Sequence, residues 1–212
     1  MNLYPIYLHL EGRRCIVVGA GKVAERKVAG LRAAGASVCL VSPEATSNLQ
    51  IIAEAGEVEW LREPYRSAHL EGAFLVIACT DKRQVNATVT RDAKKRSMLL
   101  LVADDPKAGS FMSPIQVTRG DLVLTVSTGG QSPTLAAVLR ERLETQFGPE
   151  WELLIELMGQ AREVVKTNPD EAGRKAAVRR VLDNAEIQAM LAAGQRLEAE
   201  TRIRECLSLS SE

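Results

Sequence analysis

The sequence has no excess of charge of either sign. Lys and Arg number 27, and Asp and Glu number 27, in the 212 residues. Neither half of the chain, divided after Met112, carries a strong net charge. Proteins that hold nucleic acid by charge have a basic patch or stripe. We therefore expect no nucleic-acid partner.

Long apolar segments are missing as well. No run approaches the roughly 18 apolar residues that a membrane-spanning helix needs. The first residues include Glu11 ahead of a basic pair and lack the apolar stretch of a secretory signal. The sequence thus predicts no membrane partner and a cytoplasmic location.

Metal-ligand spacings are also absent. The chain has two histidines and four cysteines, with no Cys-x-x-Cys pair, so a clustered zinc or iron site is not expected. Cys15, Cys39 and Cys79 lie inside apolar runs, where cysteine usually behaves as a small buried hydrophobe. We predict no metal site, and we interpret His9 and His69 as structural or surface residues.

The sequence does contain a regular alternation of short apolar runs and helical stretches between Arg14 and Asp104. The apolar runs are continuous, as expected for strands that are buried on both faces of a parallel sheet. They comprise residues 15–18, 37–42, 58–62, 74–80 and 98–103. Helical periodicity is found in residues 22–34, 44–55 and 83–96. This order predicts an α/β fold in which helices cover a parallel sheet.

The pattern changes after Asp104. Two extended stretches, residues 111–118 and 121–128, flank Arg119-Gly120. A glycine between two such stretches is typical of a turn that joins adjacent strands. The sequence therefore predicts a separate two-stranded element after the parallel sheet.

The rest of the chain is predicted to be helical. Ser132 and Pro133 are a suitable N-cap and first residue for a helix that ends near Gln146. Capping-box sequences at residues 168–171 and 183–186 divide the later part into several helices.

A Gly-x-Gly-x-x-Ala motif, Gly19 to Ala24, stands directly after the first strand and opens the first helix. In this context the motif is the fingerprint of a dinucleotide-binding Rossmann unit. The first glycine permits the tight turn, and the second lets backbone amides approach a pyrophosphate at the helix N-terminus. We predict that Gly19, Gly21, Lys22 and Val23 bind the cofactor. The alternative is a turn that binds no phosphate.

The ends of the second and fourth strands supply further cofactor candidates. An acidic residue often binds the adenosine ribose at the end of the second strand. Here Ser42 is followed by Pro43 and Glu44, so the ribose contact is assigned to this segment rather than to one acid. No arginine is present there for a 2′-phosphate, which favours NAD over NADP. Thr80 is predicted to border the cofactor, and Asp81 equally suits a helix N-cap.

The candidate catalytic group is the acidic pair at the end of the fifth strand. The Tyr-x-x-x-Lys pair of short-chain reductases is absent. Asp104 is expected at the same carboxyl edge as the glycine loop, where it could accept a proton, orient a cation or bind a metal ion. The alternative is that Asp105 and Lys107 simply form a turn.

Several segments together resemble the siroheme synthase dehydrogenase/ferrochelatase family over residues 1–150. They occur in the family's order, and their combination is far more specific than any one motif. The segments are Pro5-Ile6-Tyr7-Leu8, Gly19 to Lys27, Ala78-Cys79-Thr80-Asp81 with Val85-Asn86, Asp104-Asp105-Pro106 to Ser110-Phe111, and Ser127 to Pro133.

The resemblance implies an NAD-dependent precorrin-2 dehydrogenase that produces sirohydrochlorin in siroheme or cobalamin biosynthesis. It implies a homodimer with a Rossmann domain at residues 1–110, a dimerisation region at residues 111–148 and a small all-helical domain at residues 149–212. Asp104 matches the family's proposed catalytic residue.

The resemblance also implies a substrate site. Thr128, where many members have serine, matches a hydroxyl at the tetrapyrrole site. Together with Gly129 and Ser132 it precedes a helix N-terminus, which suits the carboxylates of precorrin-2. The further candidates to add positive charge are Lys107, Arg119, Arg140 and Arg142, although the last two equally suit a solvated helix face.

Two alternatives stay open from the sequence. A non-catalytic NAD-binding regulatory module, as in potassium channels, shares the glycine-rich core, although Ser42 and Asp104 count against it. Some relatives also insert iron or cobalt into sirohydrochlorin. Because the chain has no clustered histidines or cysteines, we predict dehydrogenation as the main activity.

Overall fold

The structure is a computed structural model of the chain, and it describes residues 3–166 and 171–208. It divides into two compact units, residues 1–113 and residues 114–212. The division into a Rossmann domain, a dimerisation region and a helical domain stays a prediction.

The first unit contains a five-stranded parallel sheet with the strand order β3-β2-β1-β4-β5. The predicted Rossmann-type fold is thereby confirmed. In chain order the elements are β1 (Arg14–Val18), α1 (Lys22–Ala33), β2 (Ser37–Val41), α2 (Ser47–Glu54), β3 (Glu59–Leu61), a 3₁₀ turn (Ser67–Leu70), β4 (Leu75–Ala78), α3 (Arg83–Lys95) and β5 (Leu99–Val102).

The continuous apolar runs are explained by burial on both faces of the sheet. Successive strand residues point to opposite faces, so Cys15 and Val17 of β1 join the apolar cluster that contains residues of α1 and α2. Ile16 and Val18 join the opposite cluster, which contains Val89 of α3. Apolar residues are therefore favoured at consecutive positions of the strand.

The carboxyl ends of β1 and β4 approach closely at Gly19. This residue has a φ of 106°, and its amide donates to the Val41 carbonyl at 3.0 Å. A Cβ atom added there would lie 2.8 Å from the Cys79 carbonyl oxygen. Strand order reverses between these two strands, which is where open α/β sheets bind ligands.

Two local features of the first unit differ from the prediction made from the sequence. The second helix begins at Ser47 rather than at residue 44, because the Thr46 amide donates to the Ala20 carbonyl at 3.1 Å and ties the preceding segment to the glycine loop. Pro43 and Glu44 consequently lie in a loop. The 3₁₀ turn at Ser67–Leu70 was not predicted either.

The second unit begins with an antiparallel hairpin, β6 (Ile115–Arg119) and β7 (Leu122–Val126). Both predicted strands are present but shorter than expected. The predicted helix α4 (Pro133–Gln146) has the predicted bounds. Its N-cap is Ser132, whose Oγ accepts a hydrogen bond from the Leu135 amide at 3.2 Å.

Among the residues that the structure describes, five further helices form an apolar bundle around residues such as Leu154, Ile187 and Ile203. They are α5 (Glu150–Gln160), α6 (Arg162–Lys166), α7 (Glu171–Leu182), α8 (Ala185–Ala192) and α9 (Arg196–Ser208). The N-cap of α8 is Asn184, one residue later than the capping box at residues 183–186 predicted. Most of the capping box at residues 168–171 lies outside the described residues. No described helix has the length and apolar composition needed to cross a membrane.

Gly19 and Gly30 provide a matched stability test. Gly19→Ala should destabilise the first unit by about 3 kcal/mol or more, because it adds both a steric clash and an unfavourable φ. Gly30 lies in α1 with open space around its Cβ position, so Gly30→Ala should stabilise it by about 0.5–1 kcal/mol. Urea unfolding measures both changes, and equal stability of the two variants would contradict the close packing at Gly19.

Candidate functional site

The N-terminus of α1 presents backbone amides beside an open space. Gly21 is the N-cap, with φ −88° and ψ −170°, and a Cβ atom added there would meet nothing within 4 Å. The amides of Lys22 and Val23 lie in the first turn, where a helix leaves N–H groups without carbonyl partners. These donors and the positive end of the helix dipole suit a phosphate group.

The two glycines of the loop therefore differ in what they do. Gly19 is required by the fold, since its Cβ position is filled by the β4 backbone. Gly21 borders free space that a pyrophosphate could occupy. Val23 is exposed, and the Lys22 side chain is also exposed, with its Nζ 3.2 Å from Glu25 Oε1.

The end of β2 is fixed through its backbone. The Ser42 amide donates to the Leu61 carbonyl at 3.2 Å, and the Ser42 carbonyl accepts from Trp60 Nε1 at 2.9 Å. Pro43 and Glu44 are exposed. Within the described chain the Glu44 carboxylate makes no hydrogen bond or ion pair, so it can accept from a hydroxyl-bearing ligand.

A buried amide side chain organises the end of β4. Asn86 of α3 is 2% exposed. Its Oδ1 lies 3.1 Å from the Thr80 amide and 2.8 Å from the Thr80 hydroxyl, and its Nδ2 donates to the Thr80 carbonyl at 2.9 Å. Thr80 thus stands at the carboxyl edge, as predicted for a residue that borders the cofactor, but its hydroxyl already has partners in the protein.

The same side chain positions the candidate catalytic carboxylate. Asn86 Nδ2 donates to Asp104 Oδ1 at 3.0 Å, and Asp104 is otherwise exposed just beyond β5. Asp105 instead accepts from the Lys107 amide at 3.2 Å, which is the turn that its sequence context predicted. The two adjacent aspartates therefore have different partners.

Asn86 is a site residue to which sequence analysis assigned no role. A usable signal was present, because Asn86 precedes Val89 by three residues and Ala93 by seven, and all three are buried in α3. A polar residue on the buried face of a helix needs a specific partner. Asp81, by contrast, is not the N-cap of α3. The cap is Lys82, and its amide donates to the Thr80 hydroxyl at 3.1 Å.

The other reactive side chains of the first unit have structural environments. Burial raises the pKa of the Cys79 thiol to about 12, so this cysteine is not a nucleophile at neutral pH. His69 is buried within the 3₁₀ turn, where its Nδ1 accepts from the Arg66 amide at 3.1 Å and its Nε2 lies 2.9 Å from Glu63. The structural interpretation of His69 fits these contacts.

An open cavity of about 770 Å³ adjoins Asp104. One wall is the outward face of α3, and the other is the end of β5 with the segment that follows it. The cavity is lined by Arg83, Asn86, Ala87, Thr90, Arg91, Lys94, Lys95, Val102, Asp104, Asp105 and Ala108. Candidate catalytic and charged groups thus share one concave surface within the first unit.

In the second unit the loop before α4 is braced by its own hydroxyl groups. Thr128 Oγ1 lies 3.2 Å from both the amide and the carbonyl of Ser132, while Ser132 Oγ caps the helix. Gly129 has a φ of 62°. The predicted substrate residues therefore form one ordered loop at a helix N-terminus, which is suited to anions through its backbone.

Comparisons with known proteins agree with this arrangement. A family model described as putative NAD(P)-binding matches residues 6–115, about half of the chain. A second model, described as sirohaem biosynthesis protein central, matches residues 119–146. The two matches include the glycine loop, Asp104 and the Thr128 loop.

The chain is also similar to siroheme synthases. It is 35% identical over 210 residues to that of Photorhabdus laumondii, covering 99% of this chain and 45% of the relative. It is 38% identical over 207 residues to that of Chromobacterium violaceum, covering 96% of this chain and 44% of the relative. The chain therefore spans less than half the length of these curated relatives.

A solved structure of SirC, precorrin-2 dehydrogenase, has the same fold, with a TM-score of 0.74 and 24% identity over 96% of this chain and 100% of that one. Together, the two family models and the similarity to siroheme synthases over nearly its whole length show that the chain belongs to the siroheme synthase dehydrogenase/ferrochelatase family.

Proposed function

We propose that the chain is an NAD-dependent precorrin-2 dehydrogenase that forms sirohydrochlorin. The observation that carries the proposal is the Asp104 carboxylate, which buried Asn86 holds at 3.0 Å on the same sheet edge as a complete dinucleotide-binding loop. A module that only senses a nucleotide needs the loop but has no use for a positioned carboxylate.

The residues around the glycine loop fit NAD. The amides of Lys22 and Val23 would bind the pyrophosphate, Gly21 would leave room for it, and Glu44 with Ser42 would border the ribose. NAD, when bound, supplies the hydride acceptor for the oxidation. The protein contributes binding and orientation at this edge of the sheet.

Asp104 would accept a proton and stabilise positive charge during the reaction. Oxidation of precorrin-2 removes a hydride and a proton, and a carboxylate at the site can accept that proton. It can also stabilise positive charge that develops in the macrocycle. The Asn86 hydrogen bond engages one carboxylate oxygen, Oδ1, and leaves the other oxygen free to accept a proton.

The second unit would contribute substrate binding and dimerisation. The Thr128 loop, with Gly129 and Ser132, offers a helix N-terminus to substrate carboxylates. Of residues 114–149, all of which the structure describes, only Val117 and Ala136 are buried. A hairpin and one helix with so little core suit a surface that a second copy covers.

Asp104→Ala should lower the rate of NADH formation from precorrin-2 by ~10²–10⁴, the usual contribution of one positioned acid or base. Asp105→Ala is the matched control. It should lose much less activity, because the Asp105 carboxylate accepts a hydrogen bond from the Lys107 amide within a turn. An anaerobic assay of wild type and both variants measures this. No NADH from the wild type would refute the function, and full activity of Asp104→Ala would refute the role of that residue. Adding ferrous or cobaltous ion afterwards tests metal insertion.

Gly21→Asp should abolish useful NAD binding while the protein still folds. The new side chain meets no protein atom, but its charge would stand beside the pyrophosphate. Like charges in contact cost several kcal/mol, so the Kd should rise at least about 100-fold. Calorimetric titration measures the Kd, and far-ultraviolet circular dichroism checks the fold. An unchanged Kd in a folded variant would refute the cofactor site.

Light scattering should give a mass of twice 23.1 kDa at micromolar concentration. Leu135 and Val138 of α4 are 51% and 41% exposed, and we expect the partner copy to cover them. Leu135→Glu should therefore shift the protein towards the monomer. A monomeric wild type would contradict the proposed dimer.

A further inference from the structure

We infer that the outward face of α3 binds the carboxylates of the substrate and holds its ring against Asp104. This inference rests on the proposed function, since it concerns a substrate with several carboxylates. It assigns the anion-binding role to Arg83, Arg91, Lys94 and Lys95, which sequence analysis did not consider.

The four cations lie along one wall of the cavity that contains Asp104. From Arg83 to Lys95 the helix rises by about 18 Å, so the positive groups are spread along a wall rather than gathered at a point. Such a spacing suits a large ligand with acidic groups around its edge. A single phosphate or carboxylate would need only one or two of them.

The cations of this wall have few anionic partners. Within the described chain, the side chains of Arg83, Lys94 and Lys95 make no hydrogen bond or ion pair, and Arg91 has only a 3.5 Å contact with Asp92. Elsewhere in the first unit, Arg14 pairs with Glu59 at 2.9 Å. Like charges three or four residues apart destabilise a helix, so an anion bound here would relieve their repulsion.

The helix dipole does not account for the whole set. Lys94 and Lys95 are in the last turn of α3, where the dipole favours a cation. Arg83 is the first residue of the same helix, where the dipole disfavours one. An anionic ligand along the wall gives a common reason for cations at both ends.

The remaining lining matches the ring of such a ligand. Ala87, Val102 and Ala108 add small apolar side chains to the lining of the same cavity. A tetrapyrrole could lie on these residues with its carboxylates towards α3. Asp104 belongs to the same cavity, so the reacting part of the ring would face it.

The residues that sequence analysis proposed for this role are partly engaged elsewhere. Arg119 donates to the Thr118 carbonyl at 2.9 Å and to the Glu144 carbonyl at 3.4 Å. Arg140 pairs with Glu144 at 3.5 Å. The side chains of Arg119 and Arg140 therefore have more partners within the protein than the α3 cations have.

The test compares charge removal on α3 with the same charge removal elsewhere. The variant is Arg91→Gln with Lys94→Gln. The control is Lys166→Gln with Lys175→Gln, two exposed lysines of the second unit that pair with Glu163 and Glu171. A third variant, Arg91→Lys with Lys94→Arg, keeps both charges. The probes are uroporphyrin, which has eight carboxylates, and a porphyrin with two carboxylates, each followed by fluorescence quenching.

We expect the α3 variant to bind uroporphyrin roughly tenfold more weakly, as for the loss of two exposed charge contacts, and to raise the KM for precorrin-2 similarly. Binding of the dicarboxylate porphyrin and of NAD should change little. The control and the charge-preserving variant should resemble wild type. The difference between α3 variant and wild type should shrink in 1 M salt, where the Debye length is about 3 Å.

An unchanged uroporphyrin Kd and precorrin-2 KM in the α3 variant would overturn the inference, even if the wild type forms NADH. Equal weakening by the control would overturn it too, because it would reflect net charge alone. If the wild type binds uroporphyrin through α3 but does not oxidise precorrin-2, the proposed function fails while the anion site stands. The two failures are therefore distinguishable.

Discussion

The hydrogen bonds of Asn86 connect the parts of the first unit on which the candidate site depends. Its amide reaches the main chain of Thr80 after β4 and the carboxylate of Asp104 after β5. Because the side chain is 2% exposed, an unpaired donor or acceptor there would be costly, and the full set of partners is strongly favoured. An otherwise exposed carboxylate is thereby given a fixed orientation.

The close approach at Gly19 sets where a cofactor and that carboxylate can meet. Gly19 permits the contact between the ends of β1 and β4, and β5 lies next to β4 in the sheet. Neighbouring strands are about 4.8 Å apart, so the glycine loop and Asp104 are separated by about two strand spacings. The groups proposed to bind phosphate and to transfer a proton thus lie at the same edge of the sheet.

The parts of the fold and of the candidate site that could be predicted from the sequence are those determined by neighbouring residues. The strands follow from continuous apolar runs, and α4 follows from Ser132 and Pro133, because the information is contained in neighbouring residues. The Asn86 side chain joins the ends of β4 and β5 through hydrogen bonds that depend on how α3 packs, so periodicity alone marks the residue as buried but does not identify its partners. The charges of α3 were equally visible, but whether they are neutralised depends on side chains that only the fold brings near or keeps away.

The two faces of helix α3 place different requirements on its sequence. Its buried face packs against the sheet through Val89 and Ala93, and it also carries the buried polar residues Asn86 and Asp92. Its outward face carries cations that repel one another and contribute nothing to the core. Because both faces belong to one rigid helix, a ligand that neutralises the outer face also rests on the element that orients Asp104. In the proposed site, substrate binding and positioning of the carboxylate would therefore depend on the same helix.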